Sequence, residues 1–497
     1  ANTTLYPLHT SSAPQTQSES VHAHAGIFRP GVKSKGMTNH GKTETSDILV
    51  VVCLGLLSIG FSKASSAPTE NETLPFGVWW FAPFFSGGGY SSEAIGFIQS
   101  LTQRGGDKPD LQLTQHGDAF SREFYDGLEK ETRQMLFDLS SADPLEKEKE
   151  KSSTVVICHS EPGAWALPAA LYATTPCPPP SPPHRKPLMV IGRTTFETDR
   201  LSPEHVRRCN LMNRVWVPSR FNLDTFQRSG VLPEKLALMP EPVDVHFFDP
   251  TRAEPLLPRG ITVTGPSMEG PDDFIFLSVF KWEARKGWDV LIKAFLQEFS
   301  ATDPVALYLL TNAYHTKRQF TRKIRLISEG LDQLLVSQGQ PSKSQLWPRV
   351  VLIDKHVPTT EMPGLYKAAG AFVLPSRGEG WGRPHVEAMA MGLPVIATNW
   401  SGPTEYMTRL NSYPLDIDGL EEITEGAFSG HMWAKPSLAH LRQLMRHAWQ
   451  YPEEAADKGL QARQDMILRF SPSAIGSLLM EEFRHIASLI KLPRDEL

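Results

Sequence analysis

Residues 375–406 read PSRGEGWGRPHVEAMAMGLPVIATNWSGPTEY. The apolar run Ala371 to Leu374 just before them predicts a strand. Gly378, Gly380 and Gly382 then make a flexible loop. A helix is predicted from about Arg383, where Pro384 takes a first-turn position at which a missing N–H costs little. Pro394 to Thr398 predicts the next strand. A strand, a glycine loop and a helix N-terminus in succession put free N–H groups at the carboxyl edge of a parallel sheet. Open α/β sheets bind ligands at that edge, and the helix dipole favours an anion there. Glu379 in the loop and Glu387 one turn into the helix are eight positions apart, so one carboxylate can sit above the other. Taken singly, Glu379 is better explained as a solvated loop charge and Glu387 as a helix surface residue; the joint pattern with the glycines points to a site.

Outward from this stretch, short apolar runs alternate with amphipathic ones. Strands are predicted at Phe76 to Ala82, Thr154 to Cys158, Leu188 to Ile191 and Arg214 to Val217. A second set comprises Phe274 to Val279, Leu307 to Thr311, Val350 to Asp354, Ala371 to Leu374 and Pro394 to Thr398. The second set is almost continuous Val/Ile/Leu, as suits strands covered on both faces. Helical patterns lie between, such as Trp288 to Phe299. Alternation of this kind means α/β architecture: two doubly wound parallel-sheet domains in series. The expected limits are a tail with a short apolar segment over 1–73, a first domain over 74–250, a Pro/Gly-rich linker over 251–272, a second domain over 273–470 and a final helix over 471–497.

The 497-residue chain carries 50 basic and 55 acidic residues, a net charge of -5, which excludes a generally basic nucleic-acid coat. With 40% hydrophobic and 21% charged residues, wholesale disorder is excluded as well. Four cysteines, at 53, 158, 177 and 209, are too few and too scattered for a disulfide scaffold or zinc knuckle. Two segments read as surface insertions: the charge run at 140–153 and TTPCPPPSPPHRKP at 174–187, whose prolines predict a stiff exposed loop. Residues 48–61, ILVVVCLGLLSIGF, are shorter than the roughly 20 needed for a full membrane span. Lys33, Lys35 and Lys42 precede them and small residues follow, the order of a signal peptide or short single-pass signal anchor. That reading favours a membrane-anchored protein of the secretory pathway, with organellar and cytosolic placements as alternatives.

Glu379-Gly380-Trp381-Gly382, Glu387-Ala388-Met389-Ala390 and Gly392-Leu393-Pro394-Val395 together resemble the signature of the retaining GT-B glycosyltransferases of the large family 4, with its Glu-x7-Glu spacing. The resemblance implies two Rossmann-like domains facing across a cleft, with the last helix crossing back onto the first. It implies that Glu379 contacts the donor sugar, that Glu387 contacts the donor ribose, and that the backbone around Gly380, Trp381 and Gly382 lies near the donor. In FLSVFKWEARKG, residues 276–287, it assigns Lys281 and Lys286 to the donor diphosphate. Physics agrees, since a diphosphate leaving group needs cations if no metal supplies them. The family usually has Arg at the position of Lys281, and an ammonium is a point charge rather than a planar fork. In Ser86 to Tyr90, Gly88 and Gly89 match a glycine pair that reaches the donor phosphates; as a dinucleotide fingerprint the stretch is incomplete. His159 ends a strand where many family members place a His near the reacting sugar. Glu197 and Asp199 in RTTFETD either touch an acceptor hydroxyl or cap a helix.

The implied reaction is transfer of a sugar from a nucleotide-sugar donor to a glycan, lipid or small-molecule acceptor, with retained configuration and with neither metal nor cofactor. A nucleotide-sugar epimerase and a non-catalytic sugar-nucleotide-binding protein of the same fold are the alternatives. Neither nucleic acid nor nicotinamide chemistry fits the pattern.

Overall fold

The computed structural model describes residues 74–103, 108–140, 154–166, 174–180, 186–267, 273–313 and 319–490. The apolar run 48–61, with the anchor reading placed on it, and nearly all of the charge run lie outside the described residues. No helix among the described residues is long and apolar enough to cross a membrane.

The first sheet contains β1 (Gly77–Ala82), β2 (Leu111–Gln115), β3 (Thr154–His159), β4 (Met189–Arg193), β5 (Arg214–Val217) and β6 (Leu236–Leu238). Its order is β2-β1-β3-β4-β5-β6, and every pair is parallel. Trp80, Val155, Ile157, Ile191 and Trp216 have at most 0% exposure and form its core. The second sheet contains β7 (Ile261–Thr264), β8 (Phe274–Trp282), β9 (Val305–Ala313), β10 (Arg349–Ile353), β11 (Ala371–Leu374), β12 (Val395–Thr398) and β13 (Tyr413–Leu415). Its order is β13-β12-β11-β8-β9-β10-β7. Side chains of β10, β11 and β12 are buried along their whole length, which explains their unbroken apolar reading. A hairpin of β14 (Ile417–Glu422) and β15 (Met432–Pro436) follows.

Two expectations need correction. The segment 251–272 is more than a linker: β7 comes from it and pairs antiparallel with β10 at the sheet edge. Half-exposed and flanked by Pro and Gly, such an edge strand has little apolar signal. The Pro-rich stretch is not simply an exposed loop either. Cys177 is fully buried and disulfide-bonded to Cys158. Beside it, Thr174 Oγ1 accepts from the N–H of Gly117 at 2.6 Å, and the Thr175 carbonyl lies 2.6 Å from His116 Nδ1. Because the cross-link closes a loop 19 residues long, Cys177→Ala is expected to cost about 2–4 kcal/mol. Urea unfolding under non-reducing conditions checks this; an unchanged midpoint would refute it.

The chain crosses between domains twice, and the crossings are tied together where the N–H of Val243 donates to the Phe470 carbonyl at 2.8 Å. Beyond the second crossing the helix Pro472–Ile490 returns to the first domain. A Cβ on its Gly476 would stand 2.3 Å from the Ser100 carbonyl oxygen, so this helix lies directly on the helix Gly89–Thr102. Glu482 accepts from Trp216 Nε1 at 3.0 Å and pairs with Arg214, and Phe483 packs edge-on against Phe76.

Candidate functional site

β8 ends at Trp282, and the turn Ala284–Lys286 leads through Gly287 into the helix Trp288–Glu298. Gly287 has φ +63°, and a Cβ there would lie 1.9 Å from the Pro375 carbonyl oxygen. Only glycine therefore lets this turn press against the end of β11. The consequence is that Lys286 and Glu379, far apart in sequence, meet.

Lys286 Nζ donates to both carboxylate oxygens of Glu379 at 2.8 Å. Arg285 Nη1 donates to Glu379 Oε2 at 3.1 Å and to the Gly378 carbonyl at 2.7 Å. From the other side the Glu379 N–H donates to Ser401 Oγ at 2.9 Å. Glu379 is only 4% exposed. Burial alone would raise its pKa, but Lys286 and Arg285 outweigh burial and hold it at about 2. The carboxylate is thus a fixed anion on a rigid two-cation cradle.

Arg285, which the sequence pattern did not single out, also reaches the first domain. Its Nε lies 3.2 Å from Glu197 Oε1, and its Nη2 lies 3.1 Å from Glu283 Oε1. Glu197 is therefore an ion-pair partner across the cleft and caps no helix. Asp199 differs from both readings offered for it. Its Oδ1 accepts from the Met432 N–H at 2.7 Å, and its own N–H donates to the Met432 carbonyl at 3.0 Å, which fastens β15 to the first domain. Burial raises its pKa, but hydrogen bonds from Arg200 and Met432 bring it below the usual carboxylate range.

Lys281, next to the end of strand β8, is half-buried, and burial pushes its amine below the ordinary 10.5. Charges that act on it come from Glu283, Lys286, Arg285 and, in the first domain, Asp118. Gly88 caps the helix Gly89–Thr102, and a Cβ on it would lie 3.6 Å from Asp118 Oδ2. Around Gly89 a Cβ would meet nothing within 4 Å. Lys281 and this helix N-terminus thus share Asp118 as a neighbour, and the predicted glycine pair and lysines belong to one cleft. The domains approach closely here: a Cβ on Gly380 would lie 2.3 Å from Thr195 Oγ1.

Gly382 caps the helix Arg383–Ala390. Trp381 is 2% exposed, and its ring packs 5.0 Å from Tyr406 and 5.5 Å from Phe470, so only its backbone can meet a ligand. Glu387 Oε2 accepts from Tyr366 Oη at 2.9 Å, and its Oε1 lies 4.0 Å from Arg383 Nε. Burial raises its pKa despite Arg383. His385, also unflagged by sequence, is fully buried between the two glutamates in sequence; burial lowers its pKa to about 4 although Glu379 opposes this.

His159, expected near the reacting sugar, is instead packed into the interior of the first domain. It has 0% exposure. Trp80 Nε1 donates to its Nδ1 at 3.2 Å, and its Nε2 lies 3.1 Å from Glu93 Oε2. Tyr90 and Phe97 pack edge-on against the ring. Both nitrogens are thus turned to the domain interior, and burial lowers the ring's pKa. Among the described residues no three His, Cys, Asp or Glu side chains are grouped so as to hold a metal ion.

The second domain, over residues 271–413, matches the family described as Glycosyl transferases group 1. The chain is 33% identical over 98 residues to O-antigen chain mannosyltransferase B of Escherichia coli, covering 19% of this chain and 26% of that protein. It is 29% identical over 154 residues to sucrose synthase of Melioribacter roseus, covering 28% of this chain and 18% of that one. The chain spans about a quarter or less of the length of these curated relatives. Across both domains it superposes on Anabaena HepE in complex with UDP and glucose, with TM-score 0.53 and 15% identity, covering 82% of this chain and 100% of that one. Sucrose-phosphate synthase from Thermosynechococcus elongatus gives TM-score 0.52 at 15% identity, covering 83% and 100%. The fold is GT-B. Within it, Lys281, Lys286, Glu379 and Glu387 all stand on the second domain, and Gly88, Gly89 and Glu197 on the first.

Proposed function

We propose that this chain is a retaining glycosyltransferase of the family 4 type, which moves a sugar from a nucleotide-sugar donor to an acceptor hydroxyl without a metal ion. The observation that carries the reading is the buried carboxylate Glu379, cradled by Lys286 and Arg285 at a glycine loop and helix mouth. Nucleotide-sugar chemistry needs a cationic group for the diphosphate and a carboxylate for sugar hydroxyls, in one place. Lys281 and Lys286 supply the first and Glu379 the second, while Glu387 takes the ribose diol. The N-terminus of the helix Gly89–Thr102 adds N–H donors from the opposite domain.

In the proposed reaction the bond between the anomeric carbon and the phosphate oxygen breaks. A bond from that carbon to the acceptor oxygen forms on the same face, and the acceptor proton passes to the leaving phosphate. Lys281 and Lys286 stabilise the charge that develops on the phosphate. Closure of the domains excludes water, which would otherwise hydrolyse the donor. His159 acts on this site through Tyr90 and Glu93 rather than by contact. The acceptor side lies on the first domain near Glu197. The buried disulfide supports an oxidising compartment such as the secretory pathway, where the apolar run 48–61 serves as the anchor.

Thermal shift with UDP, GDP and ADP, followed by product analysis with the matching sugar donors, tests this. One nucleoside diphosphate is expected to raise the unfolding midpoint by several degrees, and donor turnover is expected to need an acceptor. Epimerised donor in the absence of any acceptor would refute transfer in favour of an epimerase. No shift with any nucleotide would refute both.

A further inference from the structure

Each domain sends one arginine to the first chain crossing: Arg193 fully buried, Arg383 mostly so, with 17% of its side chain exposed. Arg193, on β4, donates through Nη1 to the Met239 carbonyl at 2.5 Å. Arg383, the first residue of the helix Arg383–Ala390, donates through Nη1 to the Pro242 carbonyl at 2.6 Å. Glu241 lies between these anchor points, 3% exposed, with its Oε2 3.8 Å from Arg383 Nη1 and without a hydrogen-bond partner. Burial, reinforced by the charge of Glu93, pushes the Glu241 carboxyl well up.

The remaining face of that guanidinium is turned to Glu387. Arg383 Nε is buried, has no hydrogen-bond partner among the described residues, and lies 4.0 Å from Glu387 Oε1. Tyr366 holds the other oxygen of the same carboxylate at 2.9 Å. Glu387 is therefore held by a hydrogen bond on one side and faces a positive charge 4.0 Å away on the other. The first partner, Tyr366, belongs wholly to the second domain. The other, Arg383, is itself anchored on the segment that joins the domains.

We propose that Arg383 is a specificity-determining positioning residue: anchored on the interdomain crossing, it aims Glu387 at the ribose diol of the donor. The inference rests on the reading of Glu387 as the ribose carboxylate. It adds that ribose recognition is coupled to the seating of the crossing, through one guanidinium that spans both. A lysine in its place keeps the charge but cannot hold a carbonyl and orient a carboxylate at once.

The experiment is calorimetric titration of the intact protein with the nucleoside diphosphate of largest thermal shift, and with its 2′,3′-dideoxy counterpart. The wild type is expected to bind the ribose form roughly tenfold or more tightly, as hydrogen bonds to a carboxylate imply. Glu387→Gln should erase that preference. Arg383→Lys and Arg383→Gln should also bring the ratio close to one, with affinity for the dideoxy form changed less than about twofold. A purely structural role would weaken both forms alike, which would overturn the proposal. Arg383 variants that keep the wild-type ratio while Glu387→Gln loses it would overturn the proposal and leave the reading of Glu387 standing. An equal ratio in the wild type and in Glu387→Gln would sink both.

Discussion

Lys286→Ala is expected to lower kcat by about 10²–10³-fold, the scale of removing one group aimed at developing charge. Glu379→Gln should lower it at least as far, for a different reason. Lys286 and Arg285 would then face each other around a neutral amide instead of a fixed anion, and the glycine loop at 378–382 would lose its cradle. The two variants separate by stability. Lys286→Ala leaves Glu379 paired with Arg285 and bonded to Ser401, so little unfolding is expected. Glu379→Gln leaves two cations, 12% and 19% exposed, without their common partner, and breaking such a buried pair costs about 3–5 kcal/mol. Single-turnover transfer assays and thermal unfolding measure both effects. A kcat within tenfold of wild type in either variant would remove that residue from the reaction.

How much of this was legible in the sequence follows from how local each signal is. The stretch 371–398 announced itself because strand, glycine loop and helix start are contiguous, and their physics is local. Glu379 was visible for the same reason, whereas Lys281 and Lys286 were assigned only through the family resemblance, since two lysines near a helix start read on their own as a solvated surface. Arg285 was not visible, since its importance comes from Glu197 and Glu379, which arrive from distant segments. In the second half, the strands covered on both faces were read within a few residues, whereas β2, β6, β7, β13 and the hairpin β14–β15 were missed. Those elements are short, at an edge or partly exposed, so they lack an unbroken apolar run. The burial of His159 could not be read either, because Trp80, Phe97 and Glu93 reach it from other elements of the first domain. A disulfide between Cys158 and Cys177 likewise depends on a loop folding back, which the prolines concealed.

The cradle also dictates how the protein responds to acid. His385 has a pKa of about 4 in the folded chain against an ordinary 6.5, because burial disfavours its charged form. Between those values the unfolded chain binds the proton and the folded chain refuses it, so stability falls as pH drops from about 6.5 to about 4. That span corresponds to about 3 kcal/mol at most. Glu379 acts next. Its folded pKa of about 2 lies below the ordinary 4.5, so its contribution is whole above about 4.5 and disappears as pH falls towards 2. Unfolding free energy measured by urea titration at successive pH values should therefore decline in two consecutive steps. His385→Phe should flatten the first step and also shrink the second somewhat, because the protonated His385 ring helps to hold Glu379 low. Glu379→Gln should flatten the second, and should also shift the first, because the Glu379 charge favours protonation of His385 and its loss drives that ring's pKa lower still. The direction of this cross-effect is the sharper test. If Glu379→Gln moved the histidine step to higher pH, the two groups would not be coupled as the geometry requires, and the assignment of Glu379 as a fixed anion beneath the glycine loop would fail with it.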